Sequence, residues 1–227
     1  ASHELRTPLA TAQTNLDVVL SDPTASTSDY RSAAAVAREQ MRRMGRLVSD
    51  LLFVERGRGR QAETIVASDL VGEVVAELAP RAEAREVALV TLGTEGVVYA
   101  HREDVRRALT NLIENAIVHN RSGGSVRVAS TSAEGVLEIS VEDDGPGIDP
   151  AQQEEIFRRF HRAGHGEGSG LGLAIVKELM ERMGGSVGVS SANGAGARFV
   201  LHIPDAPRAP GAPQVPGASG TRDQRGG

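Results

Sequence analysis

The chain has 227 residues, 25 of them Lys or Arg and 30 Asp or Glu, for a net charge of −5. That balance argues against a nucleic-acid partner, and with no cysteine present disulfides and thiolate metal sites are excluded. No apolar run approaches the roughly 18 residues of a membrane span. No signal peptide is visible, and a chain starting at Ala1 rather than Met is expected to be a piece of a longer protein.

Leu5, Leu9, Ala12, Leu16 and Val19 recur at helical spacing, which predicts an amphipathic helix over residues 1 to about 20. Pro8 lies inside it, removing one backbone hydrogen bond and favouring a bend. Ser21 to Ser28 is a turn-rich connector. Ser28 or Asp29 can cap a second helix, which runs to about Glu55 on a near-heptad seam that includes Tyr30, Ala34, Ala37, Met41, Met44 and Val48. These helices make a hairpin, residues 1–56. A lone hairpin has too little core, so two copies are expected to pair into a four-helix bundle. The alternative is that it packs on the rest of its own chain.

Residues 57–62 read as a linker, after which the pattern becomes mixed. Strands are expected at Thr64–Val66, Val87–Leu92 and Val97–Ala100, with helices at Asp69–Ala84 and Glu103–His119. Ser125–Ser130 and Val136–Glu142 should pair across Ala133-Glu134-Gly135. A helix over Leu171–Met183 precedes a last hairpin, Ser186–Ser191 with Arg198–Ile203, around Asn193-Gly194-Ala195-Gly196. The whole chain is therefore α+β. Its second domain, residues 63–204, is an α/β sandwich with helices on one face of a mixed sheet. The tail, 205–227, is Pro-, Gly- and Ala-rich, and is expected to be disordered.

Five stretches carry chemistry. Ser2-His3-Glu4-Leu5-Arg6-Thr7-Pro8-Leu9 puts a nucleophilic imidazole beside a carboxylate, with a hydroxyl one turn on from His3. Asn111 and Asn115 are four apart, so both amides project from one helix face. Asp143-Asp144-Gly145-Pro146-Gly147-Ile148 follows an apolar strand; its glycines allow close approach to a flat ligand, and Asp143 can accept from an exocyclic amine. Ile156-Phe157-Arg158-Arg159-Phe160-His161-Arg162 sets two aromatic anchors among cations. Gly166 to Ile175 is a glycine-rich loop entering a helix N-terminus, a phosphate cradle built of N–H groups and the helix dipole. It is not a Walker loop, for no Gly-Lys-Ser/Thr follows.

In this order the five stretches resemble the H, N, G1, F and G2 boxes of sensor histidine kinases, over roughly residues 1–204. The resemblance implies a dimerisation and phosphoacceptor hairpin followed by a Bergerat-type ATP-binding domain, as in gyrase B, Hsp90 and MutL. It implies that His3 accepts the γ-phosphoryl group of ATP with Glu4 assisting, and that Thr7, in a Glu-x-x-Thr pattern, serves dephosphorylation of the partner. Asn115 looks like the Mg²⁺ ligand and Asp143 like the adenine-reading aspartate, with Gly145 and Gly147 shaping that pocket. Arg159 and Arg162 look like lid cations for the γ-phosphate; Gly168, Gly170 and Gly172, with Leu171, match the phosphate loop. Asn111 occupies the place where related ATPases carry a water-activating glutamate.

The expected partners are a second copy and a response regulator that receives the phosphoryl group on aspartate. A membrane is expected only through an upstream segment, the chain itself being the cytoplasmic portion of a membrane-anchored sensor. Two departures stand out. Val118 replaces a basic residue common in the family, leaving His119 as the group that could reach ATP oxygens. The lid from His161 to Glu167 is short. The rival readings are a gyrase-type ATPase clamp and a scaffold that only dimerises and binds a regulator.

Overall fold

The structure, a computed structural model, describes residues 2–56, 61–161 and 170–206, with the backbone alone at residues 2–5, 43, 46 and 49–56. Helix α1 (Ser2–Ser21) contains Pro8 without breaking, and α2 (Thr27–Arg56) packs against it. The α2 cap differs from the expected Ser28 or Asp29. Ser26 is the cap: its Oγ accepts from the Asp29 N–H at 3.3 Å, and Asp29 Oδ2 accepts from the Ser26 N–H at 2.8 Å. That reciprocal pair is a capping box, with Asp at its third helical position. Ser26→Ala removes one side of it and should lower the melting temperature by about 2–4 °C. Unchanged helical melting followed by circular dichroism would contradict this.

The seam also shifts. Ala33, Ala37 and Leu47 are buried, whereas the expected Ala34 and Val48 are exposed. The intramolecular contact selects one stripe of α2. Tyr30, Met41 and Val48 on α2, with Leu9, Val18 and Leu20 on α1, remain uncovered by this chain.

The second unit begins with β1 (Glu63–Val66), followed at once by α3 (Ala67–Glu83). That helix starts two residues before the expected Asp69 and has no side-chain cap. Its Ala67 N–H donates instead to the Gly96 carbonyl at 2.9 Å, so a tertiary contact replaces the cap. Then come β2 (Ala88–Thr94), β3 (Val97–Ala100), α4 (Arg102–Val118), β4 (Ser125–Ala133) and β5 (Val136–Asp143). The β4–β5 turn is two residues, Glu134 and Gly135, both with positive φ, shorter than the three expected. Two short 3₁₀ turns, Pro150–Gln152 and Glu155–Phe157, precede α5 (Gly172–Arg182), β6 (Ser186–Ser191) and β7 (Ala197–Pro204).

The main sheet runs β2-β4-β5-β7-β6, parallel only between β2 and β4, while β1 and β3 form a separate antiparallel ribbon. Inner and outer positions alternate along β5 and β7. Helices α3, α4 and α5 cover the inner face, with α4 in the middle. Leu109, Leu112, Ile113, Ile139, Phe199 and Leu201 form the centre of this core. The expected mixed sheet with helices on one face is the fold observed.

Candidate functional site

The site is built where the C-terminal half of α4 meets the end of β5 and the start of α5. Asn111 is only 8% exposed, and among the described residues its Nδ2 has no hydrogen-bond partner. A Cβ added at Gly172 would lie 3.9 Å from its side chain, so Asn111 abuts the first turn of α5. An orphaned buried donor costs about 1–3 kcal/mol. A ligand oxygen at this place would satisfy it. Asn115, one turn on, is half-buried. Glu114 turns away and pairs with Arg81 of α3.

Asp143 ends β5 and is buried. Its Oδ1 accepts from the N–H groups of Gly145 at 3.0 Å and Ala197 at 3.3 Å. Burial pushes its pKa above the ordinary 3.8, partly offset by those two donors. The fold therefore holds the Asp143 proton at pH values where the unfolded chain has lost it. Its contribution to stability is present below pH 3.8 and is lost as pH rises through the raised value. Asp143→Asn should then melt higher than the parent at neutral pH, with the gap opening as pH rises above about 3.8. A variant that melts lower at pH 7 would contradict the burial cost.

The glycines here are close approaches rather than spare flexibility. Gly147 (φ +76°) and Gly196 (φ +75°) each face backbone that any Cβ would strike: the Ala192 carbonyl and the Asp143 carbonyl. The β6–β7 turn is thereby docked on the Asp143–Ile148 loop. Gly194 N–H donates to the Pro146 carbonyl at 2.6 Å, and Ile148 N–H to Ser191 Oγ at 2.8 Å. From sequence alone, Asn193 to Gly196 is expected only as a hairpin turn. Its paired glycines were the one available signal of this second role.

Beside Gly145 opens a cleft of about 570 Å³, lined by His119, Arg121, Pro146, Gly194 and Ala195 among others. More than a third of His119 is exposed, yet the protein packed round its ring, and then Arg85, lower its pKa. At pH 7 it is therefore neutral and offers a hydrogen bond rather than a charge. The wall behind is fixed by Asp144, which accepts from the Ser125 N–H at 2.7 Å.

At the far side, Gly170 has φ +67°, and its carbonyl accepts from the Phe160 N–H at 2.7 Å. Phe157 meets Phe199 edge-to-face, ring centroids 6.3 Å apart. The two aromatics expected as anchors thus seat this segment on the core. The N-cap position of this eleven-residue helix is Leu171, whose side chain makes no cap hydrogen bond, and its first residue, Gly172, lies against Asn111.

Two family models match the chain. The His Kinase A (phospho-acceptor) domain matches residues 1–60. The histidine kinase-, DNA gyrase B- and HSP90-like ATPase family matches residues 100–207. The chain is 34% identical over 218 residues to the sensor histidine kinase RppB of Synechocystis sp., covering 90% of this chain and 47% of that protein. The chain belongs to the sensor histidine kinases.

Solved kinases of the family share its architecture. Acinetobacter baumannii AdeS superposes with a TM-score of 0.72 at 25% identity, over 89% of this chain and 97% of that one. Full-length ShkA in complex with AMPPNP gives 0.67 at 28% identity, over 92% of this chain and 45% of that one. The chain spans about half the length of the curated kinases it matches. No helix among the described residues is long and apolar enough to cross a membrane.

Of the kinase residues expected from the sequence, Asn111, Asn115, Asp143, Gly145, Gly147 and Gly172 gather round one region, with His119 at its rim. Arg159 is exposed and ion-paired at 2.7 Å with Glu178 of α5. Arg162 and Gly168 lie outside the described residues, as do linker residues 57–60 and the tail from 207. The α1 backbone carries His3 and Glu4 in its first turn. Thr7 is exposed beside Arg6, Ala10 and Thr11 along a shallow groove.

Proposed function

We propose that this chain is an ATP-dependent protein-histidine kinase that phosphorylates itself on His3 and passes the phosphoryl group to an aspartate of a response regulator. The observation that carries the reading is the amide nitrogen of Asn111, buried and without a partner among the described residues, one turn before Asn115. ATP fits here: the Asn111 donor, orphaned among the described residues, the N-terminus of α5 and the glycine approaches are all suited to a nucleotide. The place where a water-activating carboxylate would stand holds a neutral group. Such a site holds ATP without hydrolysing it quickly, and the nucleophile must come from elsewhere.

His3 supplies it. An imidazole nitrogen bonds to the γ-phosphorus, the bond from that phosphorus to the bridging oxygen breaks, and ADP leaves with the electron pair. The displaced imidazole proton passes to Glu4 as general base. Asp143 accepts from the adenine amine, and the donors at the start of α5 take phosphate oxygens. Asn115 would supply a side-chain oxygen ligand to Mg²⁺. Among the described residues no cluster of three His, Asp or Glu could hold a metal alone. That donor set suits an ion held mainly by phosphate and water, which would neutralise charge on the phosphates. Arg159 would leave Glu178 to meet the γ-phosphate; at its exposure that ion pair is worth no more than about 1 kcal/mol. The uncovered apolar residues of α1 and α2 support a homodimer with a four-helix bundle.

Incubation with γ-labelled ATP and Mg²⁺ tests this. The chain should retain label that is lost in acid and kept in alkali, with little free phosphate. Continuous phosphate release without retained label would instead indicate a clamp-type ATPase. We also assign Thr7 to dephosphorylation of the regulator, where its hydroxyl orients water on the exposed face of α1. Thr7→Ala should keep His3 labelling within about twofold while slowing loss of regulator phosphate by about 10²-fold. Equal loss of both activities would make Thr7 structural.

A further inference from the structure

Asp104 is 1% exposed, far from the cleft, and its carboxylate is held by Arg182 Nη2 at 2.6 Å. Asp104 lies in the first turn of α4 and Arg182 in the last turn of α5. The pair therefore joins the positive end of one helix dipole to the negative end of another. On α4, residues 104, 108, 111 and 115 fall on one stripe; on α5, so do 172, 175, 179 and 182. The Asp104–Arg182 contact and the approach of Gly172 to Asn111 show that these stripes meet with the helices antiparallel. One end of the contact is the ion pair. The other is Gly172 against the Asn111 amide.

The two ends differ in tolerance. At the amide end the approach is that of a glycine, which has no side chain to interlock with Asn111. At the other end stands a charge-assisted bond to a buried carboxylate, which resists axial displacement. Apolar packing by Ala108, Ile175 and Leu179 tolerates small axial shifts far better.

We propose that Asp104 and Arg182 are a positioning pair: they fix the axial register of α5 on α4, and so the distance between the phosphate-loop donors and the Asn111 and Asn115 amides. The proposal rests on the nucleotide-binding reading above. It assigns the pair an effect on the phosphate end of the ligand, because the hydrogen bonds at the Asp143 pocket come from the loop after β5, the end of β6 and the start of β7.

The test compares Mg·ATP with adenosine in titrations of the whole chain. Removing one partner would take a charge-assisted bond from a buried group and risk unfolding, so the informative variant is Asp104→Asn with Arg182→Met, neutral at both places. It should weaken Mg·ATP about tenfold and leave adenosine within about twofold. Arg182→Lys keeps the charge and should stay within about threefold of the parent for both ligands. Unchanged Mg·ATP affinity in the double variant overturns the proposal. So does an equal loss for both ligands, which would mean that the pair only supports the domain. A parent chain that binds neither ligand would fail the nucleotide reading itself, a result visible before any variant is made.

Discussion

His3→Gln should abolish retention of label from γ-labelled ATP, a loss of at least about 10³-fold, while ATP affinity stays within about twofold. The glutamine side chain offers an amide where the reaction needs an unprotonated ring nitrogen, and the first turn of α1 holds no second imidazole. ATP affinity is expected to survive because every group assigned to nucleotide contact lies on α4, β5, α5 or the loops between them. The split is the diagnostic: a residue that merely supported the fold would move both quantities. Label persisting on the variant would transfer the acceptor role to another side chain.

Asn115→Ala and Asp143→Ala should separate the two ends of the nucleotide. Losing the Asn115 oxygen should weaken ATP by about 10- to 100-fold when Mg²⁺ is present and little when it is chelated. Losing Asp143 leaves the adenine amine and the Gly145 and Ala197 N–H groups without their acceptor. Its effect should be as large, about 10- to 100-fold, and the same with or without metal. Asp143→Ala should also weaken adenosine, which Asn115→Ala should not. Equal metal dependence in the two variants would contradict the division of labour.

Periodicity alone was enough to place most elements, because most are long and amphipathic. Helix α4 shows why the site was legible. Asn111 and Asn115 stand at helical spacing among the buried apolar residues Leu112, Ile113 and Ala116, and among the described residues the amide nitrogen of the first has no partner. Polar residues that break a core pattern are visible in a sequence. What escaped was contact between segments remote in the chain. The early start of α3 depends on a carbonyl from Gly96, and the stripe that α2 buries depends on where α1 lies. The docking of the β6–β7 turn on the Asp143 loop depends on backbone meeting backbone at Gly147 and Gly196. The Asp104–Arg182 bond joins residues 78 apart and left no local trace. Arg159 was expected at a phosphate; only the fold reveals Glu178 as its neighbour.

The most direct test of the central claim is to find the atom that carries the phosphoryl group. The chain is incubated with γ-labelled ATP and Mg²⁺, digested under alkaline conditions, and the labelled peptide fragmented. The account predicts a single phosphohistidine at His3, stable in alkali and lost in acid, whose formation leaves one ADP per phosphate transferred. Label on any other residue, or ADP formed with all of the phosphate free in solution, would contradict it.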